Sequence, residues 1–188
     1  MARPRSAAKH DAVLSAAVRT IASQGTGAAT ALIAKEAGVS NGSLFTYFDT
    51  KADLLNQLYI QLKTEMAAAA LDGFPAQGDL RDQLLHVWGQ WLHWATTSPE
   101  KRRTLAHLDV SDDITVASHQ QARRTMADIA RLLERCLEHG QMHGTPLEFM
   151  LALMNAVADT TIDFMLRDPA NAQKHAQSGF KALWHIVA

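Results

Sequence analysis

Small polar side chains and aromatic rings share the stretch SNGSLFTYFDTK, residues 40–51, in a combination suited to recognising a polyanion. Hydroxyl, amide and lysine groups are among those that bond phosphate oxygens and base edges of duplex DNA. Leu44 and Phe48 are four residues apart, so on a helix they share one face, and we expect both to pack inward. The side chains then left on the outer face are Asn41, Ser43, Thr46 and Tyr47.

Two short helices are predicted on either side of a glycine turn at the start of this stretch. Thr30 is expected to cap the first helix and Gly38 to end it, while Ser40 caps the second, which runs to about Phe48. This is the layout of a helix-turn-helix, whose second helix enters the DNA major groove N-terminus first. Lys51 begins the next helix, where it can meet a phosphate. Taken singly, the same residues are also compatible with ordinary caps and surface positions.

The continuous text IAKEAGVSNGSLFTYFDTKADLL, residues 33–55, resembles the helix-turn-helix signature of the TetR family of one-component transcriptional regulators. The preceding text AVLSAAVRTIASQG adds support, so the resemblance covers roughly residues 9–56. It implies an N-terminal three-helix DNA-binding domain, a C-terminal helical ligand-binding domain, and a homodimer on a double-stranded DNA operator. By position, it implies phosphate contacts from Thr30 and Lys51, groove contacts from Asn41, Gly42, Ser43 and Thr46, and further DNA contacts from Ser40, Phe45 and Tyr47.

The chain departs from this family pattern in the two short helices. Phe45 stands where family members usually have tyrosine, so a bond from a hydroxyl to a phosphate is missing there. Ala31 and Leu32 stand where long polar residues are common, so the first short helix should hold the DNA backbone weakly. We therefore expect Arg3 and Arg5, in a basic N-terminal arm, to reach the DNA backbone or the minor groove.

Apolar residues recur at helical spacing through most of the chain, which predicts an all-α protein of about nine helices. The expected helices cover residues 9–23, 30–37, 40–48, 51–70, 80–97, 100–109, 115–139, 146–167 and 170–187. The stretch LDGFPAQGD, residues 71–79, is the clearest joint, although the helix before it bridges both halves. We expect residues 1–50 to form a helix-turn-helix domain with its basic arm. Residues 51–188 should form a helical ligand-binding and dimerisation domain.

Charge and cysteine content bound the class of protein. The 188 residues carry a formal net charge of −1, divided into +3 over residues 1–51 and −4 over residues 52–188. Only the first quarter is therefore expected to meet a polyanion. Cys136 is the single cysteine, which fits a reducing compartment. We see no apolar run approaching the roughly 18 residues of a membrane span and no signal segment, and expect a soluble cytoplasmic protein.

The helix expected over residues 80–97 is apolar around most of its circumference and carries Trp88, Trp91 and Trp94. A single polar stripe interrupts it, formed by His86, Gln90, His93 and Thr97. This stripe is either the polar lining of a small-molecule cavity walled by the tryptophans or a strip of solvent exposure. Further candidate wall residues, which are more often plain core, are His107, Met126, Met150, Met154 and Phe164. The effector itself cannot be named from the sequence.

The last two expected helices are candidates for pairing with a second copy of the chain. The helix over residues 146–167 carries two apolar stripes, and only one is needed to cover a core. Two such helices from each of two chains would make a four-helix bundle, the family's mode of dimerisation. The candidate dimer residues are Phe149, Leu153, Ala156, Thr160, Ala176, Phe180, Leu183, Trp184 and Val187. Alternatively, both helices simply close the core of the single chain.

Patterns that indicate catalysis or metal binding are missing from the sequence. There is no H-E-x-x-H and no phosphate-binding glycine loop. His139 and His143 are four apart, but Gly140 suggests a helix end, where that spacing need not converge. We expect no enzyme activity, cofactor or metal. Three functions stay open: a ligand-released repressor, a helical small-molecule carrier that has lost DNA binding, and a DNA binder without an inducer.

Overall fold

The computed structural model describes residues 3–138, 140 and 142–187, with side chains from Ala7 onward. Within this part the chain is helical and contains no strand, which confirms the predicted all-α class. Its helices are α1 (Arg3–Gln24), α2 (Thr30–Glu36), α3 (Asn41–Leu44), α4 (Lys51–Leu71), α5 (Leu80–Thr97), α6 (Pro99–Asp109), α7 (Val116–Thr125), α8 (Ala127–Leu137), α9 (Leu147–Arg167) and α10 (Ala172–Val187). A single 3-10 turn, Pro169–Asn171, joins the last two.

The helices form two compact units that alternate along the sequence. The first unit contains the chain up to Thr64 together with Ser98–Arg124, and the second contains Glu65–Thr97 together with the chain from Thr125 onward. The expected boundary lay between residues 50 and 51. The observed division lies after residue 64, within the uninterrupted helix α4. In addition, α6 packs on α1, so a segment expected in the C-terminal domain belongs with the helix-turn-helix.

In the first unit, α1 packs against both α2 and α6, and α2 packs against α3. The buried hydroxyl of Thr104 donates a hydrogen bond of 2.8 Å to the carbonyl of Val18, which fixes α6 on α1. The side-chain amide of Asn56 holds the loop after α6 on α4. It donates to the carbonyl of Asp113 at 2.8 Å and accepts from the backbone N–H of Thr115 at 2.9 Å.

Several predicted helix limits need correction. The described backbone of α1 is helical from Arg3, so residues 3–8, expected to form an arm before the helix, are part of the helix itself. Ala29, and not Thr30, is the N-cap residue of α2. The long helix expected over residues 115–139 is broken at Met126, where φ is −94° and ψ is 4°. This break coincides with the division between the units, so α7 and α8 bury their apolar faces in different cores.

The second unit is built around α5, which packs against α8, α9 and α10. Trp88 is buried at its centre, and its indole Nε1–H donates to the carbonyl of Ala176 at 3.0 Å. Gly179 lets α10 approach α5 and α9 closely. A Cβ atom at this position would lie 2.8 Å from Cζ2 of Trp88, on α5, and would also meet the hydroxyl of Thr161, on α9. The core of this unit therefore depends on one indole ring filling the space beside a glycine.

One helix, α9, is long and apolar enough to cross a membrane by length and composition, which corrects the expectation that no such run exists. Asp159 and Asp163 interrupt the apolar residues of α9, so the sequence does not show one continuous apolar run there. Such a helix is weak evidence for a membrane, since core helices of globular proteins pass the same test. Here the apolar residues divide between two faces: Met150 and Met154 are buried, whereas Phe149 is 53% exposed.

Candidate nucleic-acid interface

The turn between α2 and α3 depends on a glycine in the left-handed region. Gly38 has φ +68°, a conformation that side chains with a Cβ rarely adopt. Its N–H donates to the carbonyl of Lys35 at 3.2 Å, and the N–H of Val39 donates to the carbonyl of Ala34 at 3.0 Å. These bonds satisfy carbonyls at the end of α2 and turn the chain sharply toward α3.

The N-terminus of α3 is capped as the sequence predicts. The backbone of Ser40 is extended, with φ −71° and ψ 154°, and its Oγ accepts a hydrogen bond of 3.0 Å from the N–H of Ser43. The helix is shorter than expected because its regular turn ends at Leu44. The following residues continue in tight turns, where the N–H of Phe48 still donates to the carbonyl of Leu44 at 3.2 Å.

The inner face of α3 is anchored by its two predicted apolar residues. Leu44 is 0% and Phe48 1% exposed, as expected from their spacing. The ring of His10, on α1, stacks on Phe48 with ring centroids 4.9 Å apart. Nε2 of the same histidine lies 3.3 Å from the amide oxygen of Gln57, on α4. The end of the α3 segment is therefore packed between α1 and α4.

The start of α4 is fixed by a hydrogen-bond network around Asp53. The N–H of Asp53 donates to Oγ1 of Thr50 at 3.0 Å, so Thr50 caps the helix as predicted. In return, Oδ2 of Asp53 accepts from the N–H of Asp49 at 3.1 Å, and Oδ1 accepts from the amide of Gln57 at 2.9 Å. The spacing Thr-x-x-Asp was a readable signal for this reciprocal cap. The contribution of His10 had no comparable signal in the sequence.

The predicted DNA-contacting residues differ in exposure. Ser40, Asn41, Gly42, Phe45 and Thr46 are exposed, and Phe45 is 41% exposed. The half-buried members are Thr30, Ser43, Tyr47 and Lys51. The side chains of Arg3 and Arg5 lie outside the described residues. The exposed members, residues 40–42 and 45–46, come before and after the buried Leu44, and together they are called the outer face of α3 below.

A polar network ties the middle of α4 to α6 and α7 within the first unit. The hydroxyl of Tyr59 lies 3.1 Å from Nδ1 of His119, and Nζ of Lys63 lies 2.9 Å from Oδ1 of Asp109. Burial raises the pKa of Tyr59 far above its ordinary value, and the charge of Asp109 adds to the rise. Tyr59 is therefore a neutral hydrogen-bonding group at neutral pH.

The structure brings only part of the predicted ligand site together. Trp88 and Trp91 meet edge to face at 6.3 Å, and Trp88, Trp94, Met150 and Met154 are buried in the second unit. His86 turns to the loop before α5, where its Nε2–H donates to the carbonyl of Asp72 at 2.7 Å. The other placements are Gln90 and Met126 half-buried, Phe164 and His93 exposed, and His107 exposed in the first unit. A ligand site at these residues stays a prediction.

The predicted dimer residues separate into surface and core. Phe149, Ala156 and Thr160 are exposed on α9, and Leu153, Ala176 and Trp184 are half-buried. By contrast, Phe180, Leu183 and Val187 are buried in the core of the second unit, the alternative that the sequence left open. An open groove of about 430 Å³ runs between α9 and α10 beside the exposed residues, with Leu153, Ala156, Thr160 and Phe164 among its lining side chains.

Groups suited to metal binding or nucleophilic chemistry are not assembled in the described part of the chain. No cluster of three or more histidine, cysteine, aspartate or glutamate side chains occurs among those residues. Cys136 is buried, and burial raises the pKa of its thiol to about 11, which disfavours the reactive thiolate at neutral pH.

Comparison with known proteins agrees with the geometry of the outer face of α3. Residues 13–58 match the family model of bacterial regulatory proteins of the tetR family. A tetR family transcription regulator from Shewanella sp. PV-4 superposes with a TM-score of 0.86 at 28% identity, over 96% of this chain and 98% of that one.

Two further solved structures share the fold. A TetR family transcription regulator from Marinobacter aquaeolei VT8 has a TM-score of 0.87 at 24% identity, over 99% of this chain and 98% of that one. The TetR-like regulator LfrR from Mycobacterium smegmatis, solved in complex with proflavine, has a TM-score of 0.69 at 18% identity, over 94% and 95% of the two chains. The helix-turn-helix segment of the protein thus matches the tetR family of bacterial regulatory proteins, and the whole chain shares its fold with transcription regulators of that family.

Proposed function

We propose that this regulator is a cytoplasmic, homodimeric repressor that releases its operator when a small molecule binds the second unit. The observation that carries the proposal is the exposed outer face of α3, which is capped at Ser40 and anchored through Leu44 and Phe48. A short helix with small exposed residues at its start can approach base edges closely. Residues 40–42 and 45–46 of this face are exposed in the described part of the chain, so they are accessible to a partner.

The proposed reading unit is the pair of α3 helices of a dimer. Each would enter a major groove, and the half-sites would be centred about one helical turn apart, roughly 34–36 Å. Asn41 is the residue best suited to pairing with adenine, while Thr30 and Lys51 would hold phosphates at either end of the helix-turn-helix. Since α3 carries no arginine, the commonest contact to guanine is not available from this helix.

The exposed apolar stripe of α9 supports a dimer built from the last two helices. Phe149 and Phe164 are about half exposed on this helix, and the groove that Phe164 helps to line is formed mainly by apolar groups. A second copy of the chain would cover both, because a two-fold pairing presents the same surface from each partner. The covered stripe would then explain why α9 is more apolar than a surface helix requires.

Release by a small molecule is proposed as a shift between two spacings of the DNA-reading helices. In support, α4 starts beside α3 and runs through the division at residue 64, and the Tyr59 and Lys63 contacts link it to α6 and α7. The regulator LfrR, which shares this fold, was solved in complex with proflavine, and this supports a small-molecule effector for the present protein. Coupling is reciprocal, so operator DNA must weaken binding of the effector by the same factor.

Selection of bound duplexes from a random pool is the experiment that tests the proposal. We expect enrichment of a palindromic sequence whose affinity falls by orders of magnitude between low and moderate salt, as phosphate contacts release counterions. A pool that stays unenriched at low salt would contradict the proposal and would favour a carrier. The enriched duplex also provides the probe for every experiment that follows.

The role of Lys51 can be measured by salt dependence. Replacing Lys51 with alanine should weaken binding to the selected duplex severalfold, by a similar factor for different sequences, because a phosphate contact carries no base preference. The slope of log affinity against log salt should become shallower by about one for each lysine removed from contact. Lys181→Ala is the matched control, since Lys181 is exposed on α10 in the second unit. Equal effects of the two substitutions would exclude the phosphate contact.

A further inference from the structure

The hydroxyl groups of the α3 segment are largely engaged within the protein. Oγ of Ser40 accepts from the N–H of Ser43 and lies 2.8 Å from Oγ of the same residue. The hydroxyl of Thr46 donates to the carbonyl of Ser43 at 2.7 Å. The hydroxyl hydrogen of Thr46 is therefore already used, so this hydroxyl can only accept further hydrogen bonds, and the γ-methyl group beside it offers an apolar contact.

Phe45 is the largest side chain on the outer face of α3. Helical spacing places it beside Asn41 and Gly42, which precede it by four and three residues, and 41% of it is exposed. The position of Gly42 is roomy, because the one atom within 4 Å of a Cβ built there is Oγ of Ser40, at 4.0 Å. The absence of a side chain at Gly42 thus leaves open space next to the phenyl ring.

Duplex DNA offers one apolar group to such a surface in the major groove, the C5-methyl group of thymine. We propose that Phe45 selects thymine in each half-site by packing its ring on this methyl group, with the methyl group of Thr46 beside it. The inference rests on the proposed DNA-reading role of α3 and adds the feature of the operator that this face reads. It also gives a function to an aromatic ring that lacks the hydroxyl needed to bond a phosphate.

Replacing each thymine of the selected duplex by deoxyuridine, one symmetric pair at a time, tests the proposal, because this change removes the methyl group and keeps the base pair. At one position we expect the affinity of the unmodified protein to fall about fourfold per half-site, the effect of losing one buried methyl contact. The Phe45→Ala variant should bind the thymine and deoxyuridine duplexes equally. Because Phe45 is exposed, this variant is expected to keep the thermal stability of the parent protein.

A second probe separates the methyl group from the rest of the base pair. At the same position, a cytosine–guanine pair should bind more weakly than thymine–adenine, and 5-methylcytosine should recover about fourfold per half-site with Phe45 but not with alanine. If no deoxyuridine substitution lowers affinity while the duplex remains tightly bound, the thymine contact is wrong and the DNA-reading role of α3 stands. If no duplex is enriched at all, the proposed function itself has failed.

Discussion

Replacing Gly179 with alanine should lower the free energy of unfolding by about 1–3 kcal/mol, the usual cost of an extra methyl group in a packed core. The new Cβ would lie 2.8 Å from Cζ2 of Trp88 and would meet the hydroxyl of Thr161. The indole cannot move away easily, because it is buried and its Nε1–H is bonded to the carbonyl of Ala176. Denaturation followed by tryptophan fluorescence reports this directly, since the chain's four tryptophans lie in the second unit.

Gly89→Ala supplies a matched control with the opposite sign. Gly89 is also within a helix of the second unit, but nothing lies within 4 Å of a Cβ built there. Alanine at this position should raise the free energy of unfolding by up to about 1 kcal/mol through helix propensity. In the Gly179→Ala background, Thr161→Ala should recover part of the loss, because it removes one of the two obstructing side chains. If Gly179→Ala were as stabilising as Gly89→Ala, the close approach of α10 would be refuted.

The helix-turn-helix was the part of the fold most readable from sequence, because local interactions determine it. Ser40 and Thr50 bond backbone groups three residues away, and Gly38 adopts a backbone conformation that few other residues tolerate. Such interactions depend on residues that are close together in the sequence. The spacing of Leu44 and Phe48 likewise fixes which side of α3 faces inward, and both are buried as expected. The outer face followed from the inner one only in part, since Asn41 and Thr46 are exposed as expected, whereas Ser43 and Tyr47 are half-buried.

Features that depend on distant packing were predicted less well. The break at Met126 has no glycine or proline to mark it, and it occurs where the chain passes from one core to the other. His86 belongs to a helical polar stripe, but its ring is committed to the carbonyl of Asp72 in the preceding loop. The apolar pattern of α10 was assigned to a dimer surface, yet Phe180 and Leu183 complete the core of the unit. In each case the apolar periodicity predicted a helix, but packing against distant parts of the chain determined what the side chains contact.

The exposed stripe of α9 leads to the prediction with the largest effect on DNA binding. Ala156 is exposed at the centre of this stripe and lines the groove between α9 and α10. Ala156→Arg should leave the single chain folded but place two unpaired charges in the proposed interface, one from each partner. Burying unpaired charge costs several kcal/mol. We therefore expect monomers in sedimentation at micromolar concentration and a loss of affinity for the selected palindrome of at least about 100-fold.

Asn155→Arg adds the same charge one residue away, on a different face of α9. Asn155 is exposed, and a rotation of about 100° per residue points it away from Ala156 and onto the face that carries Glu148, about two turns away. This variant should remain dimeric and bind the palindrome like the parent protein. Duplexes with a single half-site test whether only dimerisation is affected. If it is, both variants should bind these duplexes as weakly as the parent protein does. A dimeric Ala156→Arg protein would move the interface away from α9, whereas a monomer with undiminished affinity would show that each α3 binds independently.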